Sequence, residues 1–276
     1  MSSGRSSLAT KVWFSKYWKP VNELGYRDIP PAWDGRSKKI VFLGDSFTAG
    51  HGIKSSEDRY SNLVLKKLGR GFRGYNLGVC GADTLTENNN LIEFPFVPDI
   101  IIWQYFANDI EGAAARKGLY FNRRNGHTKN KIYVWLNKHS FLVNYISGQL
   151  DSFASEYVDY LQKAYQEDSI WKGHQADMEK IIHFSTTHNI PMLVVLFPFL
   201  GVDPNQSDFY MNRVVSFMKE KNIPFLDLRS DVGMMHPSKC IVNGNDPHPS
   251  VLLHEIVAER IYKWFFFVGF ASALNQ

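Results

Sequence analysis

The chain has 276 residues, a formal charge of +4, 44% hydrophobic and 21% charged residues. This composition excludes a disordered chain, and the small positive excess gives no nucleic-acid footprint. No apolar run of about 18 residues occurs, so no transmembrane span is expected.

Residues 1–37 carry Pro20, Pro30 and Pro31 and few periodic apolar positions. They read as an irregular N-terminal arm packed on a domain, with Trp13, Trp18, Tyr26 and Trp33 as anchors. Lys11, Lys16 and Lys19 interrupt any signal-peptide core, so the sequence as it stands reads as cytoplasmic. A periplasmic or secreted location is the alternative if an export signal has been removed. Residues 38–276 read as a single domain.

Ile40–Leu43 is a short apolar run, read as a buried strand that ends in Gly44-Asp45-Ser46. Ser55 and Asp58 form a capping pair for a helix through Leu68, with Leu63, Val64 and Leu68 inward and Gly69 as its stop. Tyr75–Val79 is a second strand, followed by Cys80-Gly81-Ala82 and a helix to about Phe94 capped by Asp83 or Thr84. Ile100–Tyr105 is a third, strongly apolar strand ending at Phe106-Ala107-Asn108-Asp109.

From about 111 to 170 the alternation stops. This stretch is expected to be a helical insertion or lid, with helices near Ser140–Gln149 and Ser155–Tyr165. Its basic residues, Arg116, Arg123, Arg124, Lys129 and Lys131, suit either a solvated helical face or contact with a polar or acidic substrate. A helix from Trp171 to His188, a strand Met192–Phe197, a helix Phe209–Lys221 and a strand Pro224–Leu228 follow. A loop, Met234–Pro249, holds Asp246-Pro247-His248-Pro249. The last helix, Val251–Phe266, is expected to turn Leu252, Ile256, Ile261 and Trp264 inward. Its apolar end, Trp264–Leu274, is too short to span a membrane. Strands separated by helices indicate an α/β fold with a parallel, doubly wound sheet of about five strands.

Four features fall at strand ends or in the last loop: Ser46, Gly81, Asn108 and the Asp246/His248 pair. Acyl transfer needs an activated hydroxyl, a base for its proton, a group that orients the base, and donors aimed at the oxyanion. Ser46 suits the nucleophile and His248 the base. Gly81 offers a backbone N–H unobstructed by a side chain, Asn108 its side-chain amide, and Ser46 its own N–H. Ser46 as a helix cap, Gly81 or Asn108 as turn residues and His248 as a packed loop residue are the plain structural alternatives. Asp45 and Asp109 read as structural hydrogen-bonding groups.

On these residues the chain resembles the SGNH hydrolases of the G-D-S-L esterase/lipase superfamily, bacterial type. The resemblance rests on Gly44-Asp45-Ser46-Phe47-Thr48-Ala49-Gly50, on Asn76-Leu77-Gly78-Val79-Cys80-Gly81, on Phe106-Ala107-Asn108-Asp109 and on Asp246-Pro247-His248-Pro249, in that order. Asn22-Glu23-Leu24-Gly25-Tyr26-Arg27 also looks like a lead-in of bacterial members. The resemblance implies a flavodoxin-like three-layer α/β/α sandwich. It also implies a metal-independent, cofactor-free serine hydrolase of carboxylic esters (esterase, lipase or deacetylase type), acting on a small-molecule or glycan ester. The alternatives are an O-acyltransferase acting on cell-surface glycan and a non-catalytic glycan-binding protein.

Two departures stand out. Phe106 occupies the family's usual glycine, which would narrow the space beside Asn108 or reshape the acyl pocket. Asp246 precedes His248 by one intervening residue instead of two, and Asn245 holds the commoner position. An amide cannot stabilise an imidazolium by charge, so Asp246 is the expected acid, with a Ser–His dyad held by a backbone carbonyl as the alternative. The serine is not in G-x-S-x-G, and no P-loop or G-x-G-x-x-G follows a strand. Cys80 and Cys240 read as free thiols, with a single bridge as the alternative. His183 and His188 share a helix without an acidic partner at metal spacing.

Overall fold

The computed structural model describes residues 8–121, 153–244 and 246–267. Five parallel strands form one sheet in the order β2-β1-β3-β4-β5: β1 Lys38–Leu43, β2 Phe72–Asn76, β3 Ile100–Tyr105, β4 Met192–Leu196 and β5 Phe225–Asp227. β1 sits between β2 and β3, with Val41 opposite both Tyr75 and Ile101. Alternate side chains on a strand point to opposite faces, and β3 shows it. Ile101, Trp103 and Tyr105 enter one apolar cluster, Ile100 and Ile102 the other. Helices cover both faces, as a two-sided apolar sheet requires. One layer holds α3 Tyr60–Leu68 and the terminal α11 Val251–Phe267; the other holds α4 Thr84–Glu93, α7 Asp168–Thr187 and α8 Asp208–Glu220. The result is the three-layer α/β/α sandwich.

The boundaries differ from the sequence reading in places. Residues 8–17 are a helix, α1, where an irregular arm was expected. β2 begins at Phe72 and ends at Asn76, earlier than expected, with Phe72 as its buried apolar anchor; beyond it the Leu77 N–H still donates to the Phe42 carbonyl of β1 at 2.8 Å. On α11 the buried face is Leu253, His254, Val257, Ala258, Ile261, Trp264 and Phe265; Ile261 and Trp264 turn inward as expected, while Ile256 is half-buried and Leu252 is 43% exposed. The buried polar His254 takes a core position near the start of the helix, where Leu252 was expected. Between β3 and α7 the described residues contain α5 Glu111–Arg116 and α6 Phe153–Gln166. The helix expected near Ser140–Gln149, the basic residues Arg123, Arg124, Lys129 and Lys131, Asn245, and the segment 268–274 lie outside the described residues. Arg116 pairs with Asp177 on α7 and so serves the scaffold. Among the described residues no helix is long and apolar enough to cross a membrane. Both cysteines are free, Cys240 buried and Cys80 exposed.

Candidate active site

β1 stops at Leu43, and the chain turns directly into a one-turn helix, α2 Ser46–Ala49. Asp45 makes that turn. Its carboxylate accepts from the Phe47 N–H at 2.8 Å, and its own N–H donates to Gln104 Oε1 at 3.1 Å. Thr48 donates to the same Gln104 oxygen at 2.9 Å and lies 2.7 Å from the Tyr60 hydroxyl. Asn76, at the end of β2, donates to the Thr48 carbonyl at 2.7 Å and to Ser61 Oγ at 2.9 Å, and accepts from Gly78 N–H at 3.0 Å. Buried polar groups that are mutually satisfied fix one arrangement. Here they fix Ser46, half-buried, at the carboxyl edge of the sheet, where open α/β folds place their sites.

The stretch expected to be a loop, Met234–Pro249, instead contains a short helix, α10 Pro237–Cys240, and an antiparallel hairpin, β6 Ile241–Asn243 with β7 Asp246–Pro249. This accounts for the short Asp-x-His spacing. On an extended strand residues i and i+2 face the same side, so Asp246 and His248 point together while Pro247 is exposed. His248 Nδ1 donates to Asp246 Oδ1 at 2.5 Å, and Nε2 lies 3.0 Å from Ser46 Oγ. The His248 backbone N–H also reaches Asp246 Oδ1, at 3.2 Å. Burial raises the Asp246 pKa, but His248 and then His51 outweigh it and hold the carboxyl below its usual range.

Gly81 and Asn108 end up beside this group by topology, since they follow β2 and β3, the two neighbours of β1. Gly81 adopts φ +74°, a conformation glycine takes at no steric cost, and the space a Cβ would fill is open. Asn108 is half-buried and donates one amide hydrogen to the Ala82 carbonyl at 3.3 Å, tying it to the residue after Gly81. An amide NH₂ carries two donors, and the Asn108 side chain also acts on the Asp45 carboxyl. Phe106 stacks on Phe47 with ring centroids 4.6 Å apart, and Phe47 contacts the His248 ring edgewise at 5.6 Å. Phe199 closes the other side of Phe106 at 5.7 Å. An aromatic wall thus stands where the glycine of the motif would leave space.

Behind the edge lie three buried carboxyls. Asp45 is raised by burial. Glu87 and Asp109 are both raised well above the usual range, first by burial; Asp45 and Asp83 add to this at Glu87, and Glu87 and Asp45 add to it at Asp109. Glu87 accepts from the Trp103 indole N–H at 2.7 Å, and Asp109 accepts from the Phe106 N–H at 3.0 Å. Asp45 and Asp109 therefore brace the backbone of the first and third motifs.

Two residues beside the site escape the motif reading, His51 and Gly52, and a third, Arg27, enters it only as the end of the lead-in. His51, between Gly50 and Gly52, stacks on the His248 ring at 4.0 Å and faces Asp246 Oδ2 with Nδ1 at 3.6 Å. Gly52, at φ +82°, makes room for the hairpin: a Cβ there would lie 2.4 Å from Val242 Cγ2 and 3.0 Å from Asp246 Oδ2. Arg27 is fully buried and donates to the carbonyls of Gly50 at 2.5 Å, Ile53 at 2.7 Å and Tyr17 at 2.9 Å. Burial, then Arg59, lowers its pKa to about 10. The only signal for the first two was the Gly50-His51-Gly52 run itself.

Among the described residues one group could chelate a cation: His51, Asp246 and His248, whose ligand atoms lie within 4.8 Å of one another. A cation there would take His248 from Ser46. His183 and His188 are exposed on α7.

No family model matches the chain, and no curated protein matches it. Solved structures do. The chain is similar to a lipolytic protein of the G-D-S-L family from Desulfitobacterium hafniense, at 15% identity over 82% of this chain and 99% of that one, with a TM-score of 0.48. It is similar to a lipase/acylhydrolase from Enterococcus faecalis at 13% identity, over 83% and 95% of the two chains, with a TM-score of 0.47. A carbohydrate acetylesterase family member from Sinorhizobium meliloti matches at 15% identity over 82% and 96%, with a TM-score of 0.47. A further structure reaches a TM-score of 0.50 at 13% identity, over 84% and 99%. At these identities the likeness, at a TM-score of 0.50 for the last of them, is one of fold alone.

Proposed function

We propose that the protein is a serine hydrolase of carboxylic esters, working through Ser46, His248 and Asp246. The observation that carries this reading is the unbroken relay from Ser46 Oγ to His248 Nε2 at 3.0 Å and from His248 Nδ1 to Asp246 Oδ1 at 2.5 Å. With Nδ1–H committed to the carboxylate, Nε2 is left as the acceptor for the serine proton. Ser46 Oγ adds to the ester carbonyl as its proton passes to Nε2, and the new imidazolium is balanced by Asp246. The carbonyl oxygen, now anionic, takes hydrogen bonds from the N–H groups of Ser46 and Gly81 and from the Asn108 amide. Each such donor typically contributes about 3 to 4 kcal/mol. Collapse breaks the bond to the alcohol oxygen, which leaves with the proton from His248. Water, deprotonated by His248, then releases the acid and restores Ser46.

Phe106, Phe47 and Phe199 make an apolar wall beside the nucleophile, which favours an ester with an apolar or aryl acyl group over a polar one. The test is hydrolysis of p-nitrophenyl acetate together with labelling by a fluorophosphonate probe. Wild type is expected to react in both and Ser46→Ala in neither. Full activity in Ser46→Ala would remove Ser46 as the nucleophile.

A further inference from the structure

The acid of a Ser–His–Asp relay has two oxygens, and only one is used by the base. If the carboxylate turns about its Cβ–Cγ bond, the short contact to the base is lost and must be re-formed. Here Oδ1 serves His248 twice, through the ring and through the backbone N–H. Oδ2 faces His51. His51 Nδ1 is buried and has no hydrogen-bond partner in range, so Asp246 Oδ2, at 3.6 Å, is the acceptor it is aimed at.

The ring of His51 is also held by packing. It lies against His248, centroid to centroid 4.0 Å. Three aromatic residues of the N-terminal segment also surround it: Trp13 at 5.1 Å, Phe14 at 5.2 Å and Trp18 at 6.5 Å. Its backbone is pinned where its N–H donates to the Ser46 carbonyl at 2.9 Å. Buried Arg27 holds the flanking carbonyls of Gly50 and Ile53. A histidine placed only for packing would not need a ring nitrogen directed at the one uncommitted carboxylate oxygen.

We propose that His51 is a positioning residue of the proposed hydrolase. Its Nδ1 edge secures Asp246 Oδ2, its ring face sets the plane of His248, and the aromatic residues of α1 and Trp18 fix His51. This inference rests on the Ser46–His248–Asp246 reading. The contribution of His51 to the low Asp246 pKa agrees with it. A small misplacement of a catalytic group can cost on the order of 100-fold in rate.

The informative variant is His51→Phe, which keeps the ring, the stacking and most of the volume but removes the nitrogen. It is expected to melt close to wild type, to lower kcat by roughly 10- to 100-fold and to leave KM within about threefold. The downfield proton resonance of the His248–Asp246 hydrogen bond should shift or broaden in the same variant. A purely structural His51 predicts instead that the phenyl ring rescues activity and leaves that resonance unmoved. Wild-type kcat and an unchanged resonance in His51→Phe would overturn the inference. Ser46→Ala separates the two levels: an active Ser46→Ala sinks the underlying mechanism, whereas an inactive Ser46→Ala beside a fully active His51→Phe sinks only the role of His51.

Discussion

Asp246→Asn changes one atom and tests the least usual part of the site. The substitution keeps the shape of the side chain, so the hairpin β6–β7 and the backbone turn at His248 remain. What it removes is the negative charge 2.5 Å from His248 Nδ1. When His248 becomes an imidazolium, the two charge centres lie roughly 4 Å apart, worth about 4 kcal/mol at an effective dielectric of about 20. The Asp246 side chain is 21% exposed, and solvent trims that figure to about 3 kcal/mol. At about 1.4 kcal/mol per decade this is a 100-fold loss. The amide can also present N–H to a ring nitrogen that needs an acceptor, which adds misalignment. The expected outcome is a 100- to 1,000-fold lower kcat on p-nitrophenyl acetate, a KM within about threefold and a melting temperature within a few degrees of wild type. A kcat within about fivefold of wild type would refute the charge argument and leave a Ser–His dyad held by a backbone carbonyl.

Gly52→Ala places a Cβ 2.4 Å from Val242 Cγ2 at a left-handed residue, and should cost about 2 to 4 kcal/mol in stability, read by urea melts. It should also lower kcat at least tenfold by displacing Asp246; an undiminished kcat would show that the hairpin can move without its acid. Phe106→Ala removes the ring stacked on Phe47, and should raise kcat/KM for bulky acyl esters relative to acetate by about tenfold or more. An unchanged acyl-chain profile would show that Phe106 does not line the acyl pocket. Burial lowers the pKa of both His174 and His254 to about 3. The unfolded chain, with histidines near 6.5, therefore binds protons between pH 6.5 and 3 that the native state refuses. Their contribution is intact above about pH 6.5 and lost as pH falls, at up to about 1.4 kcal/mol per pH unit for each histidine. In paired melts from pH 7 to 5, wild type should lose stability relative to His254→Gln; parallel curves would contradict the assignment.

Much of the architecture could be read from the residues. Ile40–Leu43 and Ile100–Tyr105 are central strands buried on both faces, and such strands announce themselves as continuous apolar runs. The edges of the pattern were less legible. In β2 the sequence Phe72-Arg73-Gly74 carries little strand signal, because Arg73 is half-buried and Gly74 has no side chain to pack. On α11 the apolar residues surround nearly the whole helix, so periodicity could not set its phase, and a buried histidine took a core position. The hairpin left one trace, the Asn243-Gly244 pair typical of tight turns. Ser46 and His248 sit in motifs with a recognisable order and are drawn together as that order implies. The geometry that lets Asp246 follow so closely comes from an extended strand, which spacing alone does not reveal. His51 and Gly52 were silent for a related reason: their partners are about 200 positions away, and nothing local distinguishes a histidine that meets the hairpin from one that does not.

The buried guanidinium of Arg27 changes where the folding unit ends. The sheet begins at Lys38, and a boundary drawn there would look natural. Yet Arg27 closes the carbonyls of the loop that carries His51, Arg59 donates to the Arg27 carbonyl, and Asp28 both accepts from Asn76 N–H at 2.9 Å and pairs with Arg59 at 3.3 Å. A shortened form starting at the first strand would keep Ser46, Gly81, Asn108, Asp246 and His248 while exposing the underside of the loop from Ser46 to Ile53. For anyone expressing, tagging or grafting this domain, the segment ahead of the sheet is part of the folding unit and has to travel with it.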